Sequence, residues 1–257
     1  MYRRIMSEVD IKQNLKLVVE RIEEAFKKRP PALQTEKPFL VAVAKTKPAD
    51  VIAEAYAAGQ KHFGENYVQE LSEKGLSVQI LDKCKEIKWH FIGHLQSNKV
   101  NKVLAVPGLY MIETVDSENL ATVINKAWEK VQKEDKERLR VLVQVNTSGE
   151  EAKSGVQPKD AASLYKFIKE KCPNLSVEGV MTIGKYVEDY TGGPNEDFIA
   201  LMQCHENIVK EFNLNPRDVH VSMGMSHDFE DAVIAGASIV RVGTSIFGAR
   251  TPKPQAK

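Results

Sequence analysis

The chain has 257 residues, enough for one barrel of about 250 residues or for two smaller domains. Its 36 lysines and arginines offset 35 acidic residues to a formal net charge of +1, and no block of like charge points to nucleic acid or an anionic membrane. Cys84, Cys172 and Cys204 lie far apart and without metal-ligand spacing, which predicts reduced thiols in a reducing compartment.

Apolar residues at Val9, Leu15, Val18, Val19, Ile22 and Phe26 fall at helical spacing and predict an amino-terminal helix over 7–28, with Ser7 as N-cap and Arg29-Pro30-Pro31 as its stop. The start lacks the apolar core of a signal peptide, and nowhere do 18 apolar residues run together, so the cytosol is the expected compartment. Arg3 and Arg4 leave a mitochondrial address open, against which Glu8 and Asp10 argue. Next comes Phe39-Leu40-Val41-Ala42-Val43-Ala44-Lys45, an apolar run that reads as a strand buried on both faces. Thr46-Lys47-Pro48 breaks it. By the period-two rule Phe39, Val41, Val43 and Lys45 share a face, so the lysine points where the core points.

The same rhythm continues. A helix over 49–58 closes at Gly59, a second strand covers 62–66, and a helix runs through Gln69, Glu70 and Leu71. The third strand, 89–93, precedes a helix over 97–106 stopped by Pro107-Gly108. The fourth, 110–115, leads through Asp116-Ser117 into a helix carrying Ile124 and Trp128 toward Glu134. The fifth, 140–146, is joined by a polar connection, 147–157, to a helix over 158–171. The sixth, 177–183, is followed by a glycine-rich loop at 191–194 and a helix over 195–212. The seventh, 218–223, precedes a helix over 228–235 ended by Gly236, and the eighth is 238–243. Strand-then-helix units repeated through this length predict a closed (β/α)8 TIM barrel, a single domain with its core over 38–250, an extra amino-terminal helix and a tail over 251–257. The competing doubly wound sheet would call for a G-x-G-x-x-G turn, which is missing.

Barrel sites lie at the carboxyl ends of the strands, and phosphates often bind at the loops after strands seven and eight. A desolvated lysine at the end of strand one is a Schiff-base nucleophile, although one that merely snorkels to water reads as well from this stretch alone. After strand seven, Gly224-Met225-Ser226 places Ser226 at the expected start of a helix; after strand eight come Gly243, Thr244 and Ser245. Amides and hydroxyls of this kind suit phosphate oxygens, while each loop alone is an ordinary cap or turn. Arg241 shares a face with Ile239 and Gly243, so it points into the barrel mouth and needs an acceptor. A pyridine nitrogen is one; an ion pair with an inward carboxylate such as Glu178 is the other. An amine for an aldehyde, a guanidinium for a ring nitrogen and a cradle for a phosphate together describe pyridoxal 5'-phosphate.

Six stretches then resemble the pyridoxal phosphate homeostasis protein family: Ala42-Val43-Ala44-Lys45-Thr46-Lys47, Phe63-Gly64-Glu65-Asn66-Tyr67, Trp89-His90-Phe91-Ile92-Gly93-His94-Leu95-Gln96-Ser97-Asn98-Lys99, Val180-Met181-Thr182-Ile183-Gly184, Met223-Gly224-Met225-Ser226 and Val240-Arg241-Val242-Gly243-Thr244-Ser245-Ile246-Phe247-Gly248. They occur in order over 40–250. The resemblance implies the barrel of the alanine racemase amino-terminal domain and pyridoxal phosphate held as an aldimine, without an established catalytic reaction. It makes Lys45 the aldimine lysine, sets Arg241 at the ring nitrogen, gives Ser226, Gly243 and Thr244 to the phosphate, and lines the ring with Asn66 and Met225. His227 departs from the small residue implied there.

The expected function is therefore a non-enzymatic carrier in intracellular pyridoxal phosphate homeostasis, monomeric, with apo pyridoxal phosphate enzymes as its partners. The alternative is a racemase-like enzyme, which needs two bases on opposite faces of its substrate. The racemase pattern takes one from a carboxyl-terminal β domain that this chain, ending seven residues after Arg250, is expected to lack; Tyr67 is the replacement within the barrel. An arginine at the ring nitrogen does not readily protonate it, which weakens the cofactor as an electron sink. His90 and His94 share parity but lack an acidic or cysteine cluster, so no metal site is expected. Trp89, Phe91, Trp128 and Phe167 read as packing, and Lys99 and Lys102 as a solvated helix face.

Overall fold

Eight parallel strands close on themselves in chain order in the computed structural model, which describes residues 9–131, 137–150, 153–185 and 195–249. The strands are β1 (Phe39–Val43), β2 (His62–Glu65), β3 (Lys88–Phe91), β4 (Leu109–Val115), β5 (Leu139–Gln144), β6 (Leu175–Met181), β7 (His220–Ser222) and β8 (Ile239–Val242). β8 pairs with β1 in the register Phe39 with Ile239 and Val41 with Arg241, which seals the barrel and sets the lysine strand beside the arginine strand. The expected (β/α)8 architecture is the one observed.

The surrounding helices are α1 (Ile11–Lys27), α2 (Ala49–Ala57), α3 (Val68–Gly75), α4 (Val78–Lys83), α5 (Val100–Leu104), α6 (Glu118–Glu129), α7 (Ala161–Lys171), α8 (Glu196–Glu211), α9 (Phe229–Ala235) and α10 (Thr244–Phe247). α1 is capped by Asp10, whose carboxylate accepts from the Gln13 amide at 2.8 Å. The expected cap Ser7, the loop at 191–194 and the tail over 251–257 lie outside the described residues. Ile11, Leu15, Val18, Ile22 and Ala25 form the buried stripe of α1, which packs on α2, α9 and α10, while Val9 and Val19 face solvent. Gly236 takes φ +120 at the end of α9, where the left-handed conformation favours glycine.

Some boundaries differ for local reasons. Ser97–Lys99 is a 3-10 turn before α5, and Pro158–Asp160 another before α7. Strand seven is short because Pro216–Asp218 is a 3-10 turn capped by Asn215. α4, capped by Ser77, and α10 are additional elements. In β6 an irregularity falls where Val141 pairs Val177 but Val143 pairs Val180, so β6 carries one more residue than β5 around Glu178 and Gly179. Gly179 has φ +151, and a Cβ there would meet the His220 carbonyl oxygen at 2.0 Å.

Two apolar layers result. Most buried side chains lie between strands and helices, and a second cluster of Val41, Met111, Leu142, Met181 and Ile239, flanked by Phe39 and Tyr110, fills the barrel. One end of that interior is an imidazole and aromatic layer, with His62 in ring contact with Phe39 at 4.8 Å, His90 at 5.1 Å and Tyr110 at 5.1 Å. Among the described residues no helix is long and apolar enough to cross a membrane.

Candidate functional site

A cavity of about 230 Å³ opens at the carboxyl ends of the strands. Lys45, Asn66, Met225, Ser226, Arg241, Gly243 and Thr244 all line it, joined by Val43, Ile92, Ile183 and His227. Larger hollows among the described residues, about 620 Å³ and 370 Å³ against α1 and about 470 Å³ beside Arg29, are lined without Lys45 or Arg241.

Lys45 sits two residues past β1 and is half-buried. Its backbone is pinned on both sides. The Ala44 amide donates to the Gly64 carbonyl at 3.0 Å, and the Ala44 carbonyl accepts from Lys74 Nζ at 2.9 Å. Thr46, at φ +64, donates its amide to Glu70 Oε2 at 2.7 Å. A β-branched residue in left-handed geometry is strained, and that carboxylate holds it there. Lys74 Nζ completes the clamp by bonding Glu65 Oε1 at 2.7 Å and Glu70 Oε2 at 2.8 Å.

Glu65 is fully buried, and its Oε2 has no hydrogen-bond partner among the described residues. Burial pushes its carboxyl up to about 7, against the opposing pull of Lys74 and, more weakly, of Lys45. A carboxyl raised from 4.5 in the unfolded chain to about 7 contributes stability that is fully present below the unfolded value and is lost as pH rises through the folded one. The loss amounts to about 3 kcal/mol. Urea midpoints should therefore fall between about pH 5 and pH 8, and Glu65→Gln should flatten that slope. An unchanged slope in the variant would clear Glu65 as its source.

Asn66 follows β2 with its Oδ1 buried at the cavity wall and unpaired among the described residues. β3 leaves the barrel against it, and a Cβ on Gly93 would lie 1.9 Å from the Asn66 carbonyl oxygen, so only glycine allows that approach.

Arg241 is buried at the floor of the cavity. Nη1 donates to Ser222 Oγ at 2.6 Å and Nη2 to the Thr182 carbonyl at 2.7 Å. Ser222 Oγ donates in turn to Glu113 Oε2 at 2.5 Å. The other Glu113 oxygen meets His90 Nδ1 at 2.7 Å, and His90 Nε2 lies 2.8 Å from His62 Nδ1. Burial alone would raise the Glu113 carboxyl, but the His90 hydrogen bond and charge, the Arg241 charge and the Ser222 hydroxyl hold it below the usual carboxylate range. The inward carboxylate answering Arg241 is thus Glu113 and not Glu178. The extra residue in β6 sends Glu178 to Arg140, at 3.4 Å.

The loops after β7 and β8 meet. The Gly243 amide donates to Ser226 Oγ at 3.1 Å, and Ser245 Oγ reaches the Ser226 carbonyl at 3.5 Å. Ser226 is not at a helix start as expected. α9 begins at Phe229, and Asp228 ties the intervening turn by accepting from the Met225 amide at 2.6 Å. The helix start beside Gly243 belongs to α10, which Thr244 opens. A Cβ on Gly243 would lie 3.1 Å from the Val43 carbonyl oxygen, so this loop crosses close over the end of β1.

Other candidates fall elsewhere. Tyr67 is 52% exposed and does not line the cavity. His90 belongs to the buried file; His94 is exposed, 3.7 Å from Asp116 and 2.9 Å from Ser154 Oγ. Among the described residues no three His, Cys, Asp or Glu side chains group as metal ligands. Lys102 bonds Gln69, and the three cysteines are free and buried. Glu65, Lys74 and Glu70 behind the lysine turn, and Glu113, Ser222 and His62 behind Arg241, have no site role in the sequence expectations. Parity with Met111 marks Glu113 as inward, but not what it meets.

Residues 12–251 match the family model described as alanine racemase, N-terminal domain. The pyridoxal phosphate homeostasis protein of Homo sapiens is 51% identical over 236 residues, covering 92% of this chain and 85% of that protein. That of Bos taurus is 50% identical over 256 residues, covering 98% and 93%. PipY of Synechococcus elongatus, solved with PLP bound, superposes with a TM-score of 0.71 at 29% identity, over 93% of this chain and 100% of that one. With half of its aligned residues shared with two proteins of that name along nearly its whole length, the chain belongs to the pyridoxal phosphate homeostasis protein family.

Proposed function

We propose that this chain binds pyridoxal 5'-phosphate at the barrel rim through Lys45 and serves to hold and release it, contributing to intracellular homeostasis without catalysing a reaction of its own. The observation that carries this reading is the convergence of Lys45, Arg241 and the Ser226, Gly243 and Thr244 loops on one cavity. The residues suit the group. Lys45 offers an amine for the aldehyde, Arg241 an N–H donor for the ring nitrogen, and the Thr244 amide with the Ser226 hydroxyl, which the Gly243 amide orients, a cradle for the phosphate. Asn66 Oδ1, buried without a partner among the described residues, is an acceptor facing the same space. At about 230 Å³ the cavity lies below the usual range of ligand pockets, which begins at about 300 Å³, and so suits only a small ligand.

When bound, the cofactor supplies a reactive aldehyde. Lys45 is the amine that would hold this aldehyde reversibly and withhold it from other amines. Arg241 keeps its own protons and would donate a hydrogen bond to the ring nitrogen without protonating it, which favours storage over carbanion chemistry. A racemase would need a second base across the ring, and Tyr67 points to solvent. Delivery to apo pyridoxal phosphate enzymes, a monomeric state and a cytosolic location complete the proposal.

Titration of the purified protein with pyridoxal phosphate should raise a visible absorption band at one equivalent, bleached by borohydride. Amino acids incubated with the loaded protein in deuterated water should keep their α hydrogen. Rapid exchange at that carbon would replace the carrier with an enzyme.

A further inference from the structure

The interior of this barrel is apolar around Val41, Met111, Leu142, Met181 and Ile239, yet a carboxylate and a guanidinium are buried among them. Burying two charges costs more than their attraction commonly returns, and apolar side chains of similar size would stabilise such a core at least as well. The pair therefore calls for a role other than stability. Its geometry is directional. Arg241 Nη1 donates to Ser222 Oγ, whose single proton is committed to Glu113, and the second Glu113 oxygen is taken by His90. With Nη2 held by the Thr182 carbonyl, both terminal nitrogens are anchored on the barrel side, which fixes the plane of the guanidinium while its side chain lines the cavity. Behind His90, burial and His90 itself push the His62 ring down to about 3, so it adds no charge to the file.

We infer that Glu113, acting through Ser222, is a positioning residue that fixes the Arg241 guanidinium against the ring nitrogen of the bound cofactor. This rests on the function proposed above. Ser222 orients the fork, Glu113 fixes the proton of Ser222, and His90 fixes Glu113. Substituting Glu113 leaves Ser222 free to turn its proton toward the guanidinium, which loses its acceptor and its plane.

Comparison of pyridoxal phosphate with its deaza analogue, in which C–H replaces the ring nitrogen, separates positioning from a general role in packing. Glu113→Gln should weaken binding of pyridoxal phosphate roughly tenfold, as expected for a hydrogen bond to a charged group, and binding of the deaza analogue less than about twofold. Ser222→Ala, which removes the relay atom but keeps both charges, should behave in the same way and carries the comparison if Glu113→Gln does not fold. Equal losses on both ligands, or none on either, would overturn the positioning role. A wild-type protein that forms no complex with pyridoxal phosphate would overturn the underlying function instead.

Discussion

Lys45→Ala should leave the barrel as stable as the parent and release pyridoxal phosphate at least about a hundredfold faster, a difference of about 2.7 kcal/mol if it appears wholly in affinity. The lysine is half-buried, lies beyond the end of β1 and fills no core position, so truncation should change stability by about 0.5 kcal/mol or less. Its turn is held by Lys74, Glu70 and the Gly64 carbonyl through backbone atoms of its neighbours, none of which the substitution removes. Dialysis of the loaded proteins against cofactor-free buffer, followed by absorbance, checks the release, and a urea curve checks the fold. Retention equal to the parent would show that Lys45 is not the attachment point.

Arg241→Leu should be the most damaging single change to stability, at about 3–5 kcal/mol. It removes a cation that helps hold the fully buried Glu113 below the usual carboxylate range, and it takes the Arg241 donor from the Thr182 carbonyl. The signature is in the pair. Adding Glu113→Gln to Arg241→Leu should recover part of the loss, because the uncompensated carboxylate disappears with it. A double variant less stable than Arg241→Leu by the full cost of Glu113→Gln alone would mean that the two groups do not communicate through Ser222.

Strand periodicity made the barrel readable, because strands buried on both faces appear as short apolar runs, each followed by a helix and its stop. Lys45 was readable for the same reason: it ends the most regular of those runs, Phe39 to Val43, on the inward parity. The partners of Arg241 were not readable. Glu113, Ser222 and His90 come from β4, β7 and β3, and their meeting depends on how those strands are staggered across the barrel. That stagger is altered by irregularities between β3 and β4, β4 and β5, and β5 and β6, which no single strand reveals. The last of these diverted Glu178 to Arg140. The placement of Ser226 failed on turn chemistry. Asp228 occupies the cap position of α9, and serine two residues earlier is left to meet the loop after β8. The clamp behind the lysine turn was hidden because Glu65 and Lys74 lie on successive elements, and the outward face of β2 meets the buried face of α3 only after folding.

The claim on which the rest depends is that one particular amine carries the cofactor. Reduction of the loaded protein with borohydride, digestion and mass mapping reads this directly. A phosphopyridoxyl group should appear on the peptide containing Lys45, with Lys74 unmodified. A label on Lys74 or on surface lysines, with Lys45 left bare, would contradict it.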